Sequence, residues 1–209
     1  MRTRPQRLDK ITEIRQFFSE SGASTYVETN HMFAKTFFDI ALEELPPAPV
    51  AVVILRRSWA KVMRSFLSLG YFTDHNPVWI DWMRVPQRDG PAEDSLHPEN
   101  QMNAVAEYLL KVEQRSQEIQ DWYPDIRYVD CFLETLQSNE GVKALFGNLG
   151  LDGEAPGDLE SLVGTPVNVR QKKKRRLQMS VPSEQECKAF LEDFLQAKTD
   201  TVPLDKIAL

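Results

Sequence analysis

Residues 50–70, "VAVVILRRSWAKVMRSFLSLG", open on six consecutive apolar residues with no polar interruption. A continuous β-branched run of this kind reads as a strand covered on both faces. Arg56 and Arg57 close it, and Val62, Met63, Phe66, Leu67 and Leu69 then recur at helical spacing. Gly70 stands where a glycine commonly ends a helix.

Towards the N-terminus, Leu8, Ile11, Ile14, Phe17 and Phe18 predict a helix over residues 9–20, which "SESGAS" interrupts. "TYVET", residues 25–29, reads as a short strand. The apolar residues from Met32 to Leu45 predict a helix over 31–45, ended by the prolines at 46–49. Glu28 and His31 therefore sit together where a strand hands over to a helix. Thr29 or Asn30 suits a helix cap there.

Towards the C-terminus, residues 71–99 are polar and Pro-rich but hold Trp79 and Trp82. They read as a long loop or short helices anchored over a pocket. The longest helical pattern spans 100–121, a strand follows at 126–131, and residues 139–149 form a helix closed by Gly150. Residues 151–182 read as loop. Ser183 with Glu186 is a capping box that opens a last helix running to about residue 197. This order of strands and helices predicts an α/β fold with a parallel sheet and flanking helices.

The 209 residues are 42% hydrophobic and 27% charged, which suits a globular domain. No apolar run reaches the length of a membrane span, and no secretory leader is visible, so a cytoplasmic setting is the expectation. Two cysteines, Cys131 and Cys187, stand without metal-ligand spacing. The net charge of −6 argues against general nucleic-acid binding, although "RQKKKRR" at 170–176 packs six cations into seven positions. Such a run is usually a solvated loop; in an acidic chain it could also face one small polyanion.

The strand, Arg57 and Ser65 eight residues later resemble the P-loop sulfotransferases, which use 3′-phosphoadenosine 5′-phosphosulfate (PAPS). In that family such an arginine and serine bind the nucleotide's 3′-phosphate. "YVETNHMF" is similar to the strand end that carries the family's catalytic base, a histidine or a glutamate. "VNVRQKKKRR" falls where many members close a basic loop over the 3′-phosphate. The resemblance runs in order over residues 24–196. It implies a P-loop NTPase-like sulfotransferase fold over residues 24–197, preceded by a helical segment at 1–23 and followed by a tail at 198–209. His31 and Glu28 are then the candidate catalytic residues, and Arg57, Ser65, Arg170, Lys172 and Lys173 the candidate PAPS ligands. No metal is required. The acceptor would be a small-molecule or glycan hydroxyl, or an amine.

Two features depart from the family. Ser58 and Trp59 follow Arg57 in place of Asp-Pro or Asn-Pro. The family's Gly-rich loop, which cradles the 5′-phosphosulfate, has no counterpart before Thr25, where Gly22 is the one glycine. The expectation is either a fragment of an enzyme or a chain that lacks this half of the site. An inactive nucleotide-binding or interaction remnant of the same fold stands as the alternative.

Overall fold

The computed structural model describes residues 4–45, 50–73, 101–151, 161, 163, 181–198, 207 and 209. Helix α1 (Arg4–Ser21) leads to a π turn (Phe33–Phe37), which runs into α2 (Phe38–Glu44). Strand β1 (Ala51–Arg56) and helix α3 (Trp59–Ser68) follow, then α4 (Gln101–Trp122) and β2 (Arg127–Phe132). A 3-10 turn (Thr135–Gln137), α5 (Asn139–Leu149) and α6 (Glu184–Gln196) complete the described elements. The chain is thus α/β, mostly helical, with β1 and β2 paired in parallel from Ala51–Arg127 to Arg56–Phe132. None of the described helices is long and apolar enough to cross a membrane.

Three apolar clusters hold these elements. Ile11 and Ile14 of α1 pack on Ile40 and Ala41 of α2. Phe38 and Leu42 turn the other side of α2 towards Ile119 of α4, with Val52 and Tyr128 of the sheet against them. The largest cluster joins α3, α4 and α6 through Ala60, Met63, Val105, Leu109, Cys187 and Leu191.

Local signals set the helix ends. Ser58 Oγ accepts the Lys61 N–H at 3.4 Å to start α3. Gly70, at φ 66°, turns the chain out of it. The Gly70 and Tyr71 N–H groups donate back to Leu67 O and Phe66 O, both at 3.1 Å, which satisfies carbonyls the helix would otherwise leave open. Gly150 closes α5 in the same way at φ 75°, with the Leu151 N–H on Phe146 O at 2.9 Å. At α6, Ser183 and Glu186 bond reciprocally, as their spacing implies.

The structure corrects three readings. Residues 25–29 pair with no strand among the described residues; instead Tyr26 and Glu28 turn their side chains to α1 and to each other. The helix predicted over 31–45 splits, since Phe38 N–H bonds to Phe33 O five residues back and opens a π turn. Strand β1 is not covered on both faces among the described residues: Val53 and Leu55, which share one face, remain 40% and 57% exposed. The readings of Trp79, Trp82 and "RQKKKRR" lie outside the described residues.

The step from β2 into α5 depends on a missing side chain. A Cβ at Gly141 would lie 1.9 Å from the Thr135 carbonyl oxygen. We therefore expect Gly141→Ala to destabilise the chain by about 2 kcal/mol, in the range of overpacked cores, measured as a shift of the urea midpoint at unchanged m.

Candidate functional site

The carboxyl end of a parallel strand is where α/β proteins gather ligands, and β1 ends in two arginines with opposite fates. Arg56 is 8% exposed. Its Nε donates to Asp130 Oδ1 of β2 at 2.7 Å, and its Nη1 donates to Glu113 Oε2 of α4. Its carbonyl oxygen accepts the Leu133 N–H at 2.8 Å, one step beyond β2. The buried guanidinium thus ties β1 to α4 and β2, while Nη2 is buried with no hydrogen-bond partner among the described residues. Arg57 alternates to the other side and is exposed, and it makes no ion pair or hydrogen bond among the described residues.

Ser65 lies on α3, two turns beyond its Ser58 cap, and is half-buried. Its carbonyl accepts from Ser68 Oγ at 2.7 Å, and its own hydroxyl makes no hydrogen bond among the described residues. Lys61, one turn before Ser65, reaches across to Glu134 after β2 at 3.3 Å. One strand–turn–helix unit thus carries both Arg57 and Ser65, as the sequence spacing implies.

Glu28 and His31 stand before the π turn, on the far side of α2 in chain order. Glu28 accepts from Tyr26 Oη at 2.6 Å and from Asn30 Nδ2 at 3.3 Å, and pairs with Lys10 of α1 at 3.2 Å. Burial works to raise its pKa, but these three partners together hold the carboxyl below its ordinary value. None of them is the imidazole of His31. Asn30 Oδ1 accepts the Met32 N–H at 2.9 Å, an Asx turn just ahead of the π turn, whose own N-cap position is Met32 and has no side-chain cap.

The π turn also buries Lys35, at 3% exposure, a residue the sequence reading passed over. Its Nζ lies 3.3 Å from Tyr108 Oη and 5.5 Å from the centre of that ring. Burial draws the Lys35 amine down to about 8 and pushes the Tyr108 phenol up to about 12. His31, four residues earlier, is lowered below its ordinary value by partial burial and then by the Lys35 charge. The signal for Lys35 was a lone cation between Phe33 and Phe37 on a wide apolar face. Arg170, Lys172 and Lys173 lie outside the described residues. Among the described residues no three His, Cys, Asp or Glu side chains converge as metal ligands.

Set beside known proteins, the chain matches no family model, no curated protein and no solved structure.

Two expectations follow. Glu113→Gln leaves a buried guanidinium short of a charge, and should cost about 3 kcal/mol of unfolding free energy, against about 1 for Asp130→Asn, whose carboxylate is 40% exposed. In an NMR titration the His31 ring should change protonation below the usual value of about 6.5. Lys35→Met removes the neighbouring charge, so the midpoint should move up towards that value.

Proposed function

We propose that the chain is a sulfotransferase-type protein of the P-loop NTPase-like fold that receives the 3′-phosphate of a PAPS-type nucleotide at Arg57 and Ser65. The observation that carries this reading is the contrast between the two arginines. Two carboxylates neutralise Arg56 inside the fold, whereas Arg57 presents an exposed guanidinium at the strand's carboxyl end with no protein partner among the described residues. A planar fork of this kind suits a phosphate dianion, and a serine hydroxyl on the following helix can donate to the same oxygens.

In the transfer reaction, an acceptor hydroxyl or amine attacks the sulfur of PAPS. A new bond to sulfur forms, the bond to the bridging phosphate oxygen breaks, and adenosine 3′,5′-bisphosphate leaves with that electron pair. His31 takes the acceptor's proton. Its lowered pKa keeps the imidazole in the base form to lower pH than an ordinary histidine. Glu28 is a weaker base, because Tyr26, Lys10 and Asn30 favour its ionised form.

A second reading, nucleotide binding without transfer, stands beside this one: among the described residues before Thr25, Arg4–Ser21 form helix α1 and none makes a Gly-rich turn that would receive a 5′-phosphosulfate. Calorimetric titration with adenosine 3′,5′-bisphosphate tests what both readings share. Saturable binding is expected, weakened ten- to a hundredfold in Arg57→Ala and up to about tenfold in Ser65→Ala, as for lost hydrogen bonds to a charged group. A folded chain that does not bind would sink both readings. Binding without sulfuryl transfer to a panel of hydroxyl and amine acceptors would select the second.

A further inference from the structure

Three cations follow one another from the end of β1 into the first turn of α3, and the structure treats each differently. Arg56 is locked: carboxylates of α4 and β2 pin its side chain, which is 7% exposed. Arg57 is exposed and makes no ion pair or hydrogen bond among the described residues. Lys61 stands between these extremes. Its Nζ pairs with Glu134 Oε1 at 3.3 Å, and the two side chains are 36% and 40% exposed.

Helical geometry sets what Lys61 faces. Residues four apart lie one above the other on a helix, so Lys61 and Ser65 share a stripe of α3 that starts just after Arg57. Ala60, Met63 and Leu67 turn to the apolar cluster with α4 and α6, which leaves this stripe on the outer side. Arg64, the other cation of the helix, lies on the α6 side. There its charge opposes the upward push that burial gives the Cys187 thiol.

The sheet places the partner carboxylate. The Leu133 N–H on Arg56 O carries the parallel ladder one step beyond β2, so Glu134 emerges at the same end of the sheet as Arg57 and Ser58. Glu134 precedes the 3-10 turn Thr135–Gln137, but its side chain does not cap that turn. Among the described residues Lys61 is its one side-chain partner. The pair therefore spans the gap between the two strand ends, beside the arginine and serine assigned to the phosphate.

We propose that Lys61 is a third ligand of the nucleotide's 3′-phosphate, held by Glu134 until the nucleotide arrives and exchanged from carboxylate to phosphate on binding. This rests on the nucleotide reading above and deepens it, because it makes Glu134 a built-in competitor for the phosphate. An ion pair between partly exposed side chains is weak and screened, so little is lost when it opens. A phosphate dianion offers an ammonium more charge and more acceptor oxygens than a carboxylate does. Lysine suits the exchange, since its flexible stem swings a point charge between acceptors without moving the helix. Arg56, gripped from two elements, has no such freedom.

Calorimetric titration with adenosine 3′,5′-bisphosphate tests the exchange through a double-mutant cycle on the full chain. Salt is kept at about 0.15 M, where charges more than about 8 Å apart are largely screened. Lys61→Met should weaken binding about tenfold and Glu134→Gln should tighten it about threefold, as for one charged hydrogen bond lost or released. In the Lys61→Met background Glu134→Gln should lose most of its effect, because the carboxylate acts through the lysine. Lys143→Met, an equal charge change at an exposed position of α5, should leave the affinity unchanged. An unchanged urea midpoint shows that each variant folds. Wild-type affinity in Lys61→Met, unchanged or weaker binding in Glu134→Gln, or an equal gain from Glu134→Gln in both backgrounds overturns the proposal. Binding that still depends on Arg57 then leaves the nucleotide reading standing. A folded chain that does not bind at all overturns both.

Discussion

The buried guanidinium of Arg56 is the constraint on which the arrangement of this chain turns. One side chain from β1 meets one carboxylate from α4 and one from β2, so strand, crossover helix and returning strand are pinned at a single point. Charges taken out of water are tolerated only with such pairing, and removal of any one leaves the others exposed to a large desolvation cost. The tie also frees its neighbour. With Arg56 turned inwards and neutralised, alternation along the strand leaves Arg57 facing solvent, and the phosphate hypothesis needs it there.

Much of the local structure was legible in the sequence because its causes are local. The apolar run of β1, the Gly70 and Gly150 exits and the Ser183–Glu186 box each depend on a few adjacent residues, and each stands where the spacing puts it. What joins the elements was not legible. Glu113 falls within the pattern of α4 as one more charged residue among glutamates and glutamines. Its burial follows only from β1 passing beside it. Val53 and Leu55 read as core because a β-branched run usually is, and which face of the strand stays exposed is something no short window encodes.

The same division applies at the candidate site. Arg57 and Ser65 were read as a pair from spacing within one strand–turn–helix unit, and such a unit preserves spacing. Glu28 and His31 were read as a pair from proximity in sequence, yet Glu28 is taken by Lys10, eighteen positions upstream on α1. Lys35 and Tyr108 meet across seventy-three positions, so only the fold brings them together. Buried polar partners of this kind are where a sequence reading loses sight of a site, because each partner alone looks like a surface residue.

The largest apolar cluster has a consequence for how the chain is made. Its final wall is α6, whose Cys187 and Leu191 are fully buried and whose Leu195 is nearly so. The partners of that wall lie on α3 and α4, which leave the ribosome far earlier. Until Glu184–Gln196 has been synthesised, Met63, Val105 and Leu109 lack the wall that α6 supplies among the described residues, and closing so long a loop is slow. The nascent chain therefore carries this apolar surface without its α6 wall while residues 123–196 are made, a period in which chaperone capture competes with self-association.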